Sequence, residues 1–163
     1  MQINQNDQLW LMDEALIEAS KAYREDEVPV GAIIVDHQQN ILARAHNQKE
    51  KKHNPCGHAE ILAIVEAGKK INNWRLAECS LVVTLEPCLM CLGAISQARL
   101  GHIYFGAYDA KGGGLSLGYE VFNDRRLNHQ FGVTGGIRHY ECSKILSQFF
   151  REKRAKYTQQ SSH

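Results

Sequence analysis

Four residues in two short motifs of this chain could carry metal-assisted chemistry. His58 and Glu60 form an H-x-E motif, and Cys88 and Cys91 form a P-C-x-x-C motif further along the chain. One imidazole and two thiolates are a ligand set that suits zinc. Three protein ligands leave one tetrahedral position open for water, as in a catalytic zinc site. His58, Cys88 and Cys91 are therefore predicted to bind one Zn2+ per chain.

Glu60 is not needed as a ligand, and its position suits proton transfer. Zinc lowers the pKa of its bound water to about 7, so hydroxide forms near neutral pH. Glu60 can take a proton from that water and deliver it to a ring nitrogen and then to leaving ammonia. The combination H-x-E…P-C-x-x-C is typical of zinc-dependent deaminases of nucleic-acid bases. The pattern thus predicts hydrolytic deamination with Glu60 as the catalytic residue.

Other thiol and metal chemistries explain fewer of these residues. A thioredoxin-like redox site uses a C-x-x-C pair but gives no role to His58 and Glu60. A closed structural zinc site needs a fourth ligand, which Cys56 could supply. Iron is a further alternative metal, but two thiolates and an imidazole suit zinc best.

Composition places the chain among ordinary globular proteins. Its 163 residues predict a single domain over 1–163, with about 157–163 flexible. The apolar fraction is 44% and the charged fraction 23%. No apolar run approaches the ~20 residues of a membrane span, and the first residues lack a secretory-signal pattern, so no membrane association is expected. Five cysteines, two of them better used as metal ligands than in a disulfide, indicate a reducing, cytoplasmic setting.

Hydrophobic periodicity predicts the elements that position the two motifs. Strands alternate with helices, which favours an α/β fold, a three-layer α/β/α sandwich with a mixed, mostly five-stranded sheet. Cys88 and Cys91 lie in the first turn of one helix, where free N–H groups and the helix dipole favour thiolates, and His58 begins another. The predicted helices cover about 7–25, 58–69, 87 to 97 or 99, and 141–156. The predicted strands cover 32–35, 41–45, 80–85, 102–106 and 131–134.

Positive charge is concentrated at one end of the chain. The net charge of +1 gives no overall indication of a nucleic-acid partner. A local basic patch can still bind phosphates, and a solvated helix face is the competing interpretation. The basic residues of this patch are Arg151, Lys153, Arg154 and Lys156.

Further segments, taken with the two motifs, resemble a known family. They are Pro29-Val30-Gly31-Ala32, Thr84-Leu85-Glu86, Phe105-Gly106-Ala107 and Asp109-Ala110-Lys111. The chain resembles bacterial tRNA-specific adenosine deaminases, of the cytidine deaminase-like superfamily, from about Trp10 to Arg154. The resemblance implies a homodimer that converts adenosine to inosine at the wobble position of a tRNA anticodon. In that reaction zinc-bound hydroxide attacks C6 of adenine and ammonia is released.

The resemblance also implies roles for individual residues. Asn47 would hydrogen-bond the purine nucleoside, and Asp109 would contact the ribose-phosphate of a flanking nucleotide. An RNA loop is read by splaying bases into pockets, stacking them on aromatics and neutralising phosphates. The competing interpretations make Asn47 a turn residue, Asp109 a cap and the terminal aromatics core residues. The residues expected to touch the tRNA anticodon loop are Lys111, Phe150, Arg151, Lys153 and Arg154.

Some residues around the expected pocket mouth depart from the family pattern. Cys56-Gly57 stands where the family usually has Thr-Ala, Tyr108 precedes Asp109, and three glycines, 112–114, follow Lys111. Two other functions therefore stay open. One is deamination of a free base or nucleoside, such as guanine, cytosine or a related heterocycle. The other is an RNA-binding scaffold with structural zinc, which leaves an intact Glu60 without a role.

Overall fold

A five-stranded mixed sheet lies at the centre of the fold. Its strands, in spatial order, are β2 (Ile41–His46), β1 (Gly31–Val35), β3 (Ser80–Leu85), β4 (His102–Ala107) and β5 (Gly132–Thr134). The computed structural model describes residues 2–161 and confirms the predicted α/β class. β1 pairs antiparallel with both β2 and β3, whereas β3, β4 and β5 run parallel. The helices are α1 (Gln5–Arg24), α2 (Ala59–Ile71), α3 (Leu89–Gln97) and α4 (His139–Gln160).

Helices cover both faces of the sheet, which explains why its strands read as continuous apolar runs. Along β1, Ala32 and Ile34 pack in one core and Ile33 and Val35 in the other. The first core lies under α2 and α3, and the second lies under α1 and α4. Within the described residues, no helix is both long and apolar enough to cross a membrane.

Close contacts fix the layer formed by α1 and α4. A Cβ at Gly31 would overlap the backbone of α1 at Ala15 and Ala19, so glycine lets β1 lie against that helix. Arg138, which precedes α4 in the left-handed conformation, donates two hydrogen bonds to the Asp13 carboxylate at 2.9 and 3.0 Å. These contacts hold one side of the sandwich in register with the strands that carry the site.

Helix ends differ from the sequence-based predictions by up to four residues, and two of these differences have a clear physical reason. α3 begins at Leu89, because Cys88 keeps an extended backbone (ψ 171°) as the N-cap and Pro87 lies outside the helix. α4 continues to Gln160, beyond the predicted end at 156, because its last turns are polar and carry no periodic apolar signal. Residues 157–160 of the segment predicted to be flexible are therefore helical, and residues 162 and 163 lie outside the described residues.

Candidate active site

Two helix N-termini meet at the carboxyl-terminal edge of β3. His58 is the N-cap of α2, and Cys88 is the N-cap of α3. Cys91 lies in the first turn of α3 and is buried. Ligand sites in open α/β sheets are common at this edge of the strands. The N-terminal ends of both helices favour negatively charged ligands there.

The donor atoms of His58, Cys88 and Cys91 have the spacing of ligands on one cation. The His58 Nδ1 atom lies 3.6 Å from Cys88 Sγ and 3.5 Å from Cys91 Sγ, and all three atoms lie within 4.8 Å of one another. A tetrahedral zinc ion with Zn–S of about 2.3 Å and Zn–N of about 2.0–2.1 Å separates sulfur and nitrogen by about 3.6 Å. The residues present therefore fit zinc. Cys56, the alternative fourth ligand, is exposed and lies outside this group.

Protonation of the two thiols differs strongly. A hydrogen bond from Cys91, together with one from His58, lowers the pKa of Cys88 to about 4. The pKa of Cys91 is raised, because its thiol proton bonds to Cys88 and because the group is buried. The hydrogen bond to Cys88 likewise raises the pKa of His58. These hydrogen bonds favour the thiolate form of Cys88, and binding of a divalent cation would displace the remaining shared protons.

Glu60 is a buried carboxyl group in the first turn of α2. Only 4% of the residue is exposed, and burial raises its pKa to about 7. A carboxyl group with a pKa near the working pH can both accept and donate a proton. Because Glu60 shares a pocket with His58 and Cys88, it can exchange protons with a molecule bound beside the donor atoms.

These groups line a pocket of about 270 Å³ with apolar walls formed by Val28, Val30 and Leu85. Asn47 also lines this pocket and is buried. The Asn47 Nδ2 group donates to the Val28 carbonyl at 3.2 Å, and Asn47 Oδ1 accepts from the Lys49 amide at 3.1 Å. Asn47 therefore stabilises a turn, in agreement with the competing interpretation, and also lies in the pocket wall.

Asp109 lies where this pocket adjoins a second, larger groove. Its Oδ1 atom accepts hydrogen bonds from the Lys111 and Gly112 amides at 3.1 and 3.0 Å, so Asp109 also has the capping role of the competing interpretation. Val28 and Leu85 also line both cavities, so pocket and groove are continuous. The groove encloses about 790 Å³, and its exposed rim carries Tyr108, Lys111, Phe150, Arg151 and Arg154.

The terminal helix divides the residues expected at RNA between two environments. Phe149 is 5% exposed and packs in an edge-on contact with Tyr23, whereas Phe150 is 42% exposed and lines the groove. Lys153 lies outside the groove and forms an ion pair with Asp26 at 2.6 Å. The sequence alone could not show which of these neighbouring residues face the groove. In a mostly polar helix, tertiary packing decides which face is turned towards the protein.

Tyr108 is a groove residue to which sequence reasoning assigned no role. Its side chain is 57% exposed, and its ring packs edge-on against Phe105 with centroids 5.0 Å apart. The signal in the sequence was its place directly before Asp109, where the family frequently has arginine. An aromatic ring fixed by a buried neighbour and open to the groove can stack on a flat ligand group.

The comparisons with known proteins agree with this geometry. The family model for the cytidine and deoxycytidylate deaminase zinc-binding region matches residues 5–107. A tRNA-specific adenosine deaminase of Bacillus subtilis is 46% identical over 145 residues, which cover 89% of each chain. One from Streptococcus pyogenes serotype M1 is 42% identical over 148 residues, covering 91% of this chain and 86% of that protein.

A solved structure gives the same result at the level of the fold. It comes from studies of A-to-I editing by tRNA:A34 deaminases at the wobble position, and it superposes with a TM-score of 0.79 at 39% identity. The match covers 83% of this chain and 97% of that one. The chain belongs to the family of tRNA-specific adenosine deaminases, within the zinc-binding cytidine and deoxycytidylate deaminase group.

Proposed function

We propose that this protein converts adenosine to inosine at the wobble position of a tRNA anticodon by hydrolytic deamination. The observation that carries the proposal is a small pocket with a metal-donor triad and a buried carboxyl group, continuous with a basic and aromatic groove. A deaminase of a free base needs only the pocket. An enzyme that acts on one base of an RNA loop also needs a surface for the neighbouring nucleotides.

His58, Cys88 and Cys91 would hold one zinc ion per chain. A zinc ion in such a site supplies a water that loses a proton near neutral pH. Glu60 accepts a proton from the water and transfers it to a ring nitrogen of the purine. It then accepts a second proton from the hydroxyl group added to the ring and passes it to the amino group, which leaves as ammonia while the ring carbonyl forms. Burial in the pocket suits Glu60 to this role, because it keeps the carboxyl pKa close to neutrality.

The pocket walls would bind and orient the adenine base. Val28, Val30 and Leu85 offer apolar surface to the ring and exclude water. The Asn47 amide uses one N–H and one lone pair within the wall, and its remaining N–H and lone pair can meet the purine nucleoside. An orienting hydrogen bond at the wall would place the amino group of adenine towards Glu60.

The groove would bind the nucleotides on either side of the target. Lys111, Arg151 and Arg154 neutralise phosphates, while Tyr108 and Phe150 stack on bases, each stack contributing about 1–3 kcal/mol. Asp109 lies between pocket and groove, where the ribose-phosphate next to the target would pass.

We also propose that the enzyme is a cytoplasmic homodimer. The cytoplasm is where bacterial tRNA is modified. Exposed apolar side chains at the start of α3 and in the loop between β4 and β5 support self-association, because apolar patches on a protein surface mark interfaces. These side chains are Leu89, Met90, Leu117 and Tyr119.

The substrate is tested with zinc-loaded protein and an anticodon stem-loop that carries adenosine at the wobble position. We expect inosine in this stem-loop and no reaction of free adenosine, guanine or cytidine, because a free base or nucleoside makes no use of the groove. A stem-loop with the adenosine moved by one position is the matched control and should remain unmodified. Ammonia release from a free base or nucleoside alone would contradict the proposal and indicate the alternative deaminase.

Glu60→Gln tests the proton carrier. The amide keeps the size of the side chain but cannot transfer the proton, so kcat on the stem-loop should fall by at least about 100-fold. Zinc content and Tm should remain those of the wild type, because Glu60 is not a ligand. Glu66→Gln, on the exposed face of the same helix, should leave kcat unchanged. Turnover of Glu60→Gln close to that of the wild type would exclude this mechanism.

The two environments on α4 predict different effects of neighbouring substitutions. Replacing Arg151 and Arg154 together by glutamine should raise the KM for the stem-loop about tenfold. The KM of this double variant should also depend less on salt: the slope of log KM against log salt concentration should fall by about 0.7 for each phosphate that is no longer neutralised. Lys153→Gln should leave KM close to the wild-type value, because Lys153 pairs with Asp26 outside the groove. If Lys153→Gln raised KM as much as the double variant does, the groove would not be the RNA surface.

A further inference from the structure

Glu86 is a buried carboxylate to which the deamination reaction gives no role. It follows β3 directly and is 2% exposed. Its backbone N–H donates to the Ala107 carbonyl at 2.8 Å, which extends the pairing of β3 with β4. The side chain therefore projects from a rigid position two residues before Cys88.

The Glu86 carboxylate accepts three hydrogen bonds from the segment 109–116. Oε2 accepts from the Asp109 amide at 2.9 Å and from the Ser116 hydroxyl at 2.6 Å, and Oε1 accepts from the Ser116 amide at 2.6 Å. The donors come from the two ends of the segment, so one side chain holds both. Hydrogen bonds to an ionised acceptor are stronger than those between neutral groups.

The glycines of this segment let its backbone fold around the carboxylate. A Cβ at Gly113 would overlap the carboxyl group of Glu86, and a Cβ at Gly114 would overlap the side chain of Leu92. The Gly114 amide also donates to the Pro87 carbonyl at 2.8 Å. The glycine run that departs from the family pattern thus has a steric reason in this chain.

We propose that Glu86 is a positioning residue for RNA recognition. It orders the segment 109–116 before the substrate arrives, and it thereby fixes Asp109 at the boundary between pocket and groove and Lys111 on the groove rim. A segment that is already ordered loses little conformational entropy when RNA binds. The role rests on the proposed function, since it concerns affinity for the RNA loop. Glu86 acts through the segment and not on the reacting base.

Glu86→Gln tests this role. In the wild type three donors bond to the two carboxylate oxygens, whereas the neutral amide of the variant offers them only one acceptor oxygen. We expect unchanged zinc content, faster amide hydrogen exchange in 109–116, and a KM for the stem-loop raised by about tenfold or more with kcat close to that of the wild type. Ser116→Ala removes one of the three donors and should shift exchange and KM in the same direction by less.

Asp36→Asn is the matched control. Asp36 also accepts two backbone N–H groups, from Gln38 at 2.8 Å and Asn40 at 2.9 Å, but it lies in the turn between β1 and β2 at the opposite edge of the sheet. This variant should leave exchange in 109–116, KM and kcat unchanged. A rise in KM for Asp36→Asn equal to that for Glu86→Gln would mean that general destabilisation causes the effect, and would overturn the proposal.

The remaining outcomes also decide the question. A fall in kcat at constant KM would show that Glu86 acts on the reacting groups, and loss of zinc would show that it supports Cys88; either result overturns the proposal. Unchanged exchange in 109–116 would do the same.

If Glu86→Gln does not fold, Ser116→Ala carries the test. If the wild type fails to modify the stem-loop, the proposed function fails, while hydrogen exchange still decides whether Glu86 orders the segment.

Discussion

The structure depends on bringing an imidazole and two thiols to within tetrahedral spacing beside a buried carboxyl group. An imidazole, a carboxyl group and a thiolate are each unfavourable to bury without a partner. The cost is offset because His58 and Cys88 occupy the N-cap positions of helices whose N-terminal dipoles favour anionic ligands, and a divalent cation would satisfy all three donors together. Burial of Glu60 raises the pKa of its carboxyl group to about 7.

The surrounding fold keeps that arrangement rigid. The segments that form the two sides of the pocket are each tied to a buried carboxylate. Glu27 accepts hydrogen bonds from the Glu50 and Lys51 amides at 3.1 and 2.6 Å, and Glu86 holds the segment 109–116. Backbone N–H groups in irregular loops need partners when they are buried. The two carboxylates supply them, so the pocket mouth has a defined shape without a bound substrate.

Much of this architecture could be predicted from local patterns. The strand from Ser80 to Leu85 reads as a continuous apolar run because both faces of the sheet are covered. The three candidate metal ligands can be identified from residue type and spacing, and their donor atoms do lie together. Glu86 could not be identified in this way, because its partners are backbone amides of a loop more than 20 residues away. The different surroundings of Phe149 and Phe150, and the pairing of Lys153 with Asp26, depend on how α4 packs against α1 and the sheet.

X-ray absorption at the zinc edge, with the metal content of the protein, tests the central claim most directly. The account predicts one zinc per chain with two sulfur ligands at about 2.3 Å and two nitrogen or oxygen ligands at about 2.0–2.1 Å. The spectrum should be unchanged in Cys56→Ser, since that thiol is exposed and apart from the donor group. Three sulfur ligands in the wild type, falling to two in Cys56→Ser, would mean a closed structural site and would contradict the account of catalysis.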